Sequence, residues 1–153
     1  MTRQRCGILA ISISLLCNAC NRTEPEPASV DLPFAQLELT IVRTATDLFL
    51  QRFNLTLTVQ GHETGGCAST TELFPDTGYT GRRNVYLAGR GLIYVVGQFD
   101  ARIIDPHDCK AALSEFRDLD RQVVFLGSFD SNQEKRWVYV PAAERPELPF
   151  EKR

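Results

Sequence analysis

Phe53-Asn54-Leu55-Thr56-Leu57-Thr58-Val59-Gln60 alternates apolar and polar residues without a break. A period of two sends Phe53, Leu55, Leu57 and Val59 to one face of an extended strand, and Asn54, Thr56, Thr58 and Gln60 to the other. A strand with one dry and one wet face belongs to an antiparallel sheet. The same alternation occurs upstream, where Leu37, Leu39 and Ile41 interleave with Gln36, Glu38 and Thr40. Downstream, residues 85–99 hold two more strands around Gly89-Arg90-Gly91, whose glycines permit the positive φ of a tight hairpin. The second of these, Leu92-Ile93-Tyr94-Val95-Val96, is apolar on both faces, which places it centrally in a sheet. A last pair, residues 123–126 and 137–140, flanks a polar turn at 130–134 and sets Trp137 and Tyr139 on one face.

One segment has helical spacing. Asp105 can cap, Pro106 suits a first turn, and Asp108 favours a helix N-terminus. Cys109, Ala112, Leu113 and Phe116 then recur on one face, with Lys110, Glu115 and Arg117 turned away. The order β-β-β-β-α-β-β predicts an α+β domain with a mostly antiparallel sheet and one helix. The remaining tail, residues 141–153, carries three prolines and several charges and reads as an irregular strap or a frayed end.

The first twenty residues set the compartment. Arg3 and Arg5 precede an apolar run from Ile8 to Leu16, too short to span a bilayer, which ends in Cys17-Asn18-Ala19-Cys20. These are the parts of a secretory signal. Ala19 and Cys20 resemble the lipobox of bacterial lipoproteins, with Cys17 and Asn18 departing from its usual Leu and Ala or Ser. The resemblance implies that Cys20 receives a diacylglyceryl thioether, is cut free after Ala19 and is then N-acylated, commonly with palmitate. Asn21, where an inner-membrane retention signal has Asp, implies an outer-membrane anchor facing the periplasm. The alternative is ordinary signal cleavage at Ala19 or beyond.

Five cysteines are present, of which Cys6 and Cys17 leave with the signal and Cys20 carries the lipid. Cys67 and Cys109 remain in an oxidising compartment and have no neighbouring cysteine at redox-motif or zinc-knuckle spacing, so a structural disulfide is expected. It would tie the helix to the Gly65-Gly66-Cys67 loop.

The organisation expected is a signal peptide over residues 1–19, a lipidated cysteine and flexible tether over 20–30, and a single binding domain over 31–153. Residues 22–29 (RTEPEPAS) resist packing because prolines alternate with acids. The chain has 17 basic and 19 acidic residues; without Arg3 and Arg5, 15 face 19, a net charge near −4. That balance argues against a nucleic-acid partner and against electrostatic docking on anionic head groups.

Catalytic constellations are scarce. His62-Glu63 lacks the second histidine of a zinc-peptidase helix, and His107 lies near Asp105 and Asp108. A metal-dependent hydrolase built from His62, His107 and Glu63 or Asp105 is conceivable only because the disulfide would bring the segments together. No serine stands in a nucleophile elbow, and no glycine loop cradles phosphate ahead of a helix. The expectation is a protein that is not an enzyme and holds no cofactor or metal.

Residues 68–84 (ASTTELFPDTGYTGRRN) read instead as a long, turn-rich loop. It carries Phe74, Tyr79, Arg82 and Arg83, residue types that dominate interface energetics, and these four are the candidate partner anchors. The function expected is binding of a periplasmic protein, first as an immunity or inhibitor protein that neutralises a toxic or hydrolytic enzyme. The alternative binding role is an accessory lipoprotein subunit of an envelope secretion or pilus assembly.

Overall fold

The computed structural model describes residues 24–47, 49–63, 66–78, 81–114 and 123–150. The strands, in chain order, are β1 (Glu26–Leu32), β2 (Leu37–Ala45), β3 (Phe53–Gly61), β4 (Ala68–Asp76), β5 (Arg83–Leu87), β6 (Ile93–Val96), β7 (Ala101–Ile104), β8 (Ala111–Ser114), β9 (Val124–Ser131) and β10 (Trp137–Pro141). They form two antiparallel sheets, ordered β1-β2-β3-β4 and β10-β9-β5-β6-β7-β8.

The alternating stretch that decides the fold is β3, at the interior of the four-stranded sheet. Leu55, Leu57 and Val59 are buried there, level with Arg43, Ile41 and Leu39 of β2. One apolar cluster joins both sheets: Leu37, Leu39, Ile41, Leu55, Leu57 and Val59 pack with Val85, Ile93, Val95, Ile104, Phe129 and Trp137. Two sheets that share one core form a sandwich. All four residues of β6 are buried, as its apolar run requires. Its second face lies in another cluster, Tyr86, Tyr94, Val96 and Ala101, against which Phe125 and Phe150 pack.

The C-terminal tail lies along that outer face. Tyr86 Oη donates to Glu147 Oε1 at 2.8 Å, Asn84 Nδ2 donates to the Leu148 carbonyl at 3.4 Å, and Arg145 Nη2 donates to Ser128 Oγ at 2.8 Å. Burial pushes the Tyr86 phenol up to about 12, which keeps its proton available for Glu147.

The helix expected after Asp105 is not formed; among the described residues there is no α-helix. Asp105 and Asp108 accept the backbone N–H groups of His107 and Lys110, each at 2.9 Å. These are Asx turns, the other conformation that an aspartate at a helix start can stabilise. Cys109 then takes φ 56, a left-handed residue that ends any helical path, and the chain continues as the edge strand β8. Residues 115–122, including Glu115, Phe116 and Arg117 of the expected helix, lie outside the described residues. The loop expected over residues 68–84 is also largely strand, since β4 reaches Asp76 and β5 begins at Arg83. β1 begins at Glu26, inside the stretch read as tether.

The disulfide is present: Cys67 and Cys109 are joined, with Cα atoms 5.6 Å apart and a sequence separation of 42. It links the approach to β4 in one sheet to the β7–β8 turn of the other, and the Ser69 hydroxyl adds a hydrogen bond to the Cys109 carbonyl. Closing a loop of that length stabilises by about 4 kcal/mol in the chain-entropy model. Reduction under native conditions should therefore lower the melting temperature by roughly 10 °C or more, at about 4 °C per kcal/mol. An unchanged midpoint in calorimetry would show that the bridge does not hold the sheets together.

Candidate functional site

Strand direction sorts the loops to two ends of the sandwich. The disulfide end gathers the β1–β2, β3–β4, β5–β6 and β7–β8 turns. The opposite end gathers the start of β1 and the β2–β3, β4–β5, β6–β7 and β9–β10 connections. Two buried arginines close this second end.

Arg43 follows Leu37, Leu39 and Ile41 on the inward parity of β2 and is buried among them. Its Nη2 donates to Glu26 Oε2 at 2.6 Å and to the Lys135 carbonyl at 3.0 Å, while Nη1 donates to Ser131 Oγ at 2.7 Å. The guanidinium also lies over the Phe53 and Trp137 rings, 4.4 and 5.2 Å from their centroids. Trp137 completes the junction by donating its indole N–H to the Ile41 carbonyl at 3.0 Å. One arginine and one tryptophan thus tie the first sheet to the β9–β10 hairpin.

Arg83 does the same at β4. It is 1 % exposed. Nη1 donates to the carbonyls of Gly81 and Arg82 at 3.1 and 3.0 Å, Nη2 donates to the Phe74 carbonyl, and Asp100 Oδ1 lies 3.4 Å from Nη2. Asp100 Oδ2 accepts the Phe74 N–H at 2.8 Å. Burial pulls the Arg83 pKa down, and Asp100 and Asp76 hold it up in part. Gly97 makes room for the pair: a Cβ there would lie 2.7 Å from both Arg83 Cζ and Asp100 Oδ1.

These contacts separate the three described residues of the four expected to act together, Phe74, Arg82 and Arg83. Phe74 is 43 % exposed on β4 and packs its ring on Phe99, which is 42 % exposed, at 5.1 Å between centroids. Arg83 is interior and cannot reach a partner in the folded domain. Arg82 is turned to the tail, donating to the Pro149 carbonyl at 2.7 Å and lying 4.8 Å from the Phe150 ring centroid. Tyr79 and Cys20 lie outside the described residues. Sequence reasoning missed Phe99, Leu113 and Arg43. The signal for Arg43 was present, because it continues the buried parity of β2.

Phe74, near the end of the edge strand β4, and Phe99, in the β6–β7 connection, stand where the β4–β8 flank meets the arginine end. Arg102 of β7 crosses this flank to donate to the Glu72 carbonyl at 2.8 Å. Its neighbour in β8, Leu113, projects beyond the shorter sheet and is 69 % exposed. Phe74, Phe99 and Leu113 are thus exposed apolar side chains.

Depressions lie at both ends of the sandwich. A cleft of about 700 Å³ at the arginine end is lined by Glu26, Arg43, Phe49, Leu50, Lys135 and Trp137 among others. A smaller one, about 470 Å³, at the disulfide end includes His62, Glu63 and His107. The two histidines thus share a depression, as the disulfide suggested. Among the described residues, however, no three His, Cys, Asp or Glu side chains come together as metal ligands. His62 Nε2 lies 3.2 Å from Asp31 Oδ1. Among the described residues no helix is long and apolar enough to cross a membrane. Comparison of the chain with protein-family models, with curated proteins and with solved structures finds no match.

The adjacent arginines should respond oppositely to truncation. Arg83→Ala strands the buried Asp100 carboxylate and should cost about 3–5 kcal/mol of stability, whereas Arg82→Ala, at the surface of the tail, should cost about 1 kcal/mol or less. Equal losses in urea titrations of the two variants would contradict the buried-pair assignment.

Proposed function

We propose that this chain is a lipid-anchored envelope protein whose sandwich domain binds another protein in the periplasm, neutralising a toxic or hydrolytic enzyme. The export signal and Cys20 support the address. The observation that carries the binding role is the exposed Phe74–Phe99 pair on the open β4–β8 flank.

Exposed apolar residues occur singly on most proteins. Here two aromatic rings are paired, and the backbone behind one of them is clamped. The Phe74 N–H is held by Asp100 and its carbonyl by Arg83. A side chain already fixed before association loses little entropy on binding, which favours it as an anchor. Leu113 extends the apolar surface across the flank, and Arg102 bridges the strands beneath it. The anchoring role expected of residues 68–84 thus contracts to Phe74, joined by Phe99 from the β6–β7 turn.

Cross-linking from intact cells should recover the partner, and the purified domain should inhibit that partner's activity. Phe74→Ala and Phe99→Ala should each weaken the complex by about 2 kcal/mol, near thirtyfold, with the melting temperature nearly unchanged. Unchanged affinity in both variants would remove the flank as the interface. A partner whose activity survives the complex would remove the neutralising role.

A further inference from the structure

We propose that the β2–β3 loop, with Phe49 and Leu50 at its tip, seats in the phospholipid interface and holds the arginine end of the sandwich against the membrane. This inference rests on the acylation of Cys20 proposed above.

The tip is built to stay exposed. Asp47 Oδ1 accepts the N–H groups of Phe49 and Leu50 at 2.8 and 2.9 Å. Thr46 N–H donates to the Arg52 carbonyl at 2.9 Å, and Arg52 N–H donates to the Leu50 carbonyl at 2.8 Å, which closes the loop on itself. The donors from Phe49 and Leu50 hold the Asp47 carboxyl below its usual range, so the turn persists in its charged form at neutral pH. Within this fixed turn Phe49 is 91 % exposed and Leu50 51 % exposed. Two adjacent apolar side chains are thus presented to solvent beside a hydrogen-bonded turn.

Their place in the fold names the occupant. Glu26, the first residue of β1, lines the same cleft as Phe49 and Leu50. Six residues separate Cys20 from Glu26 in sequence, so the chain between them reaches at most about 20 Å. The end of the sandwich that carries the loop is therefore the end closest to the acyl chains. The disulfide end lies farther by the length of β1, roughly 20 Å. Arg52 and Lys135 are exposed at the same end, where long cationic side chains can reach lipid phosphates while an apolar tip sits deeper. The net negative charge of the mature chain leaves apolar insertion, rather than charge, as the driving contact.

The test uses the full lipoprotein, with the mass of the Cys20 peptide measured first. It is reconstituted in vesicles of phosphatidylethanolamine and phosphatidylglycerol, brominated in the acyl chains near the head groups. Trp137 is the only tryptophan, so Phe49→Trp reports the tip and Phe34→Trp, in the exposed β1–β2 turn, reports the far end. Bromine should quench the added emission several-fold more in Phe49→Trp than in Phe34→Trp. Equal quenching at the two positions on an acylated protein overturns the membrane seat and leaves the lipid anchor standing. A Phe49→Trp protein unquenched by bromine yet shielded from aqueous iodide places the tip against protein, in this chain or a second copy of it, and also overturns the seat. A Cys20 peptide without acyl chains overturns both the seat and the anchor.

Discussion

The indole N–H of Trp137, donated to the Ile41 carbonyl across the core, is the contact on which the arrangement of the two sheets depends. Apolar packing between sheets is strong but non-directional, and alone it leaves their relative slide weakly specified. A hydrogen bond from the first residue of the edge strand β10 to the backbone of the facing sheet removes that freedom. Arg43 locks the same corner, because its guanidinium satisfies Glu26, Ser131 and the Lys135 carbonyl at once. A buried arginine is tolerable only when its charge and most of its donors are met, and here both Nη atoms of Arg43 are bonded while Nε is left without a partner. These partners exist only when β1, β2, β9 and β10 are correctly placed.

The molecule uses different chemistry at its two ends. The Cys67–Cys109 bridge joins the sheets covalently at one end, while Arg43 with Trp137 and Arg83 with Asp100 join them through polar contacts at the other. Holding both ends leaves two kinds of surface presented by rigid backbone. The corner between β4 and the β6–β7 turn offers paired aromatic rings. The loop beside β1 offers an apolar tip along the long axis, toward the tether.

Much of this architecture was legible in residue order. Period-two alternation located β2 and β3, the doubly apolar run located β6, and cysteine arithmetic identified the bridge. The failures have physical causes. Asp105-Pro106-His107-Asp108 suits a helix start and a pair of Asx turns equally well, and the positive φ of Cys109 decides between them. β1 and β4 contain Pro27 and Pro75, which argue against strands in a sheet interior but are tolerated on the edges these strands occupy. Arg82 and Arg83 are identical in type and adjacent, yet one faces the tail and the other the core. Only the facing sheet distinguishes them. The aromatic pair was illegible for the same reason, since Phe74 and Phe99 meet through strand order rather than through proximity in sequence.

The single tryptophan allows the central claim, that the two sheets form one mutually locked body, to be measured directly. Trp137 emission reports contact between the sheets, and far-ultraviolet circular dichroism reports the strands themselves. In a guanidinium titration of the oxidised protein, the two signals should change together in one transition. A red shift of Trp137 emission at denaturant concentrations that leave the strand signal intact would show that the sheets part before they melt, and would contradict the interlocked sandwich.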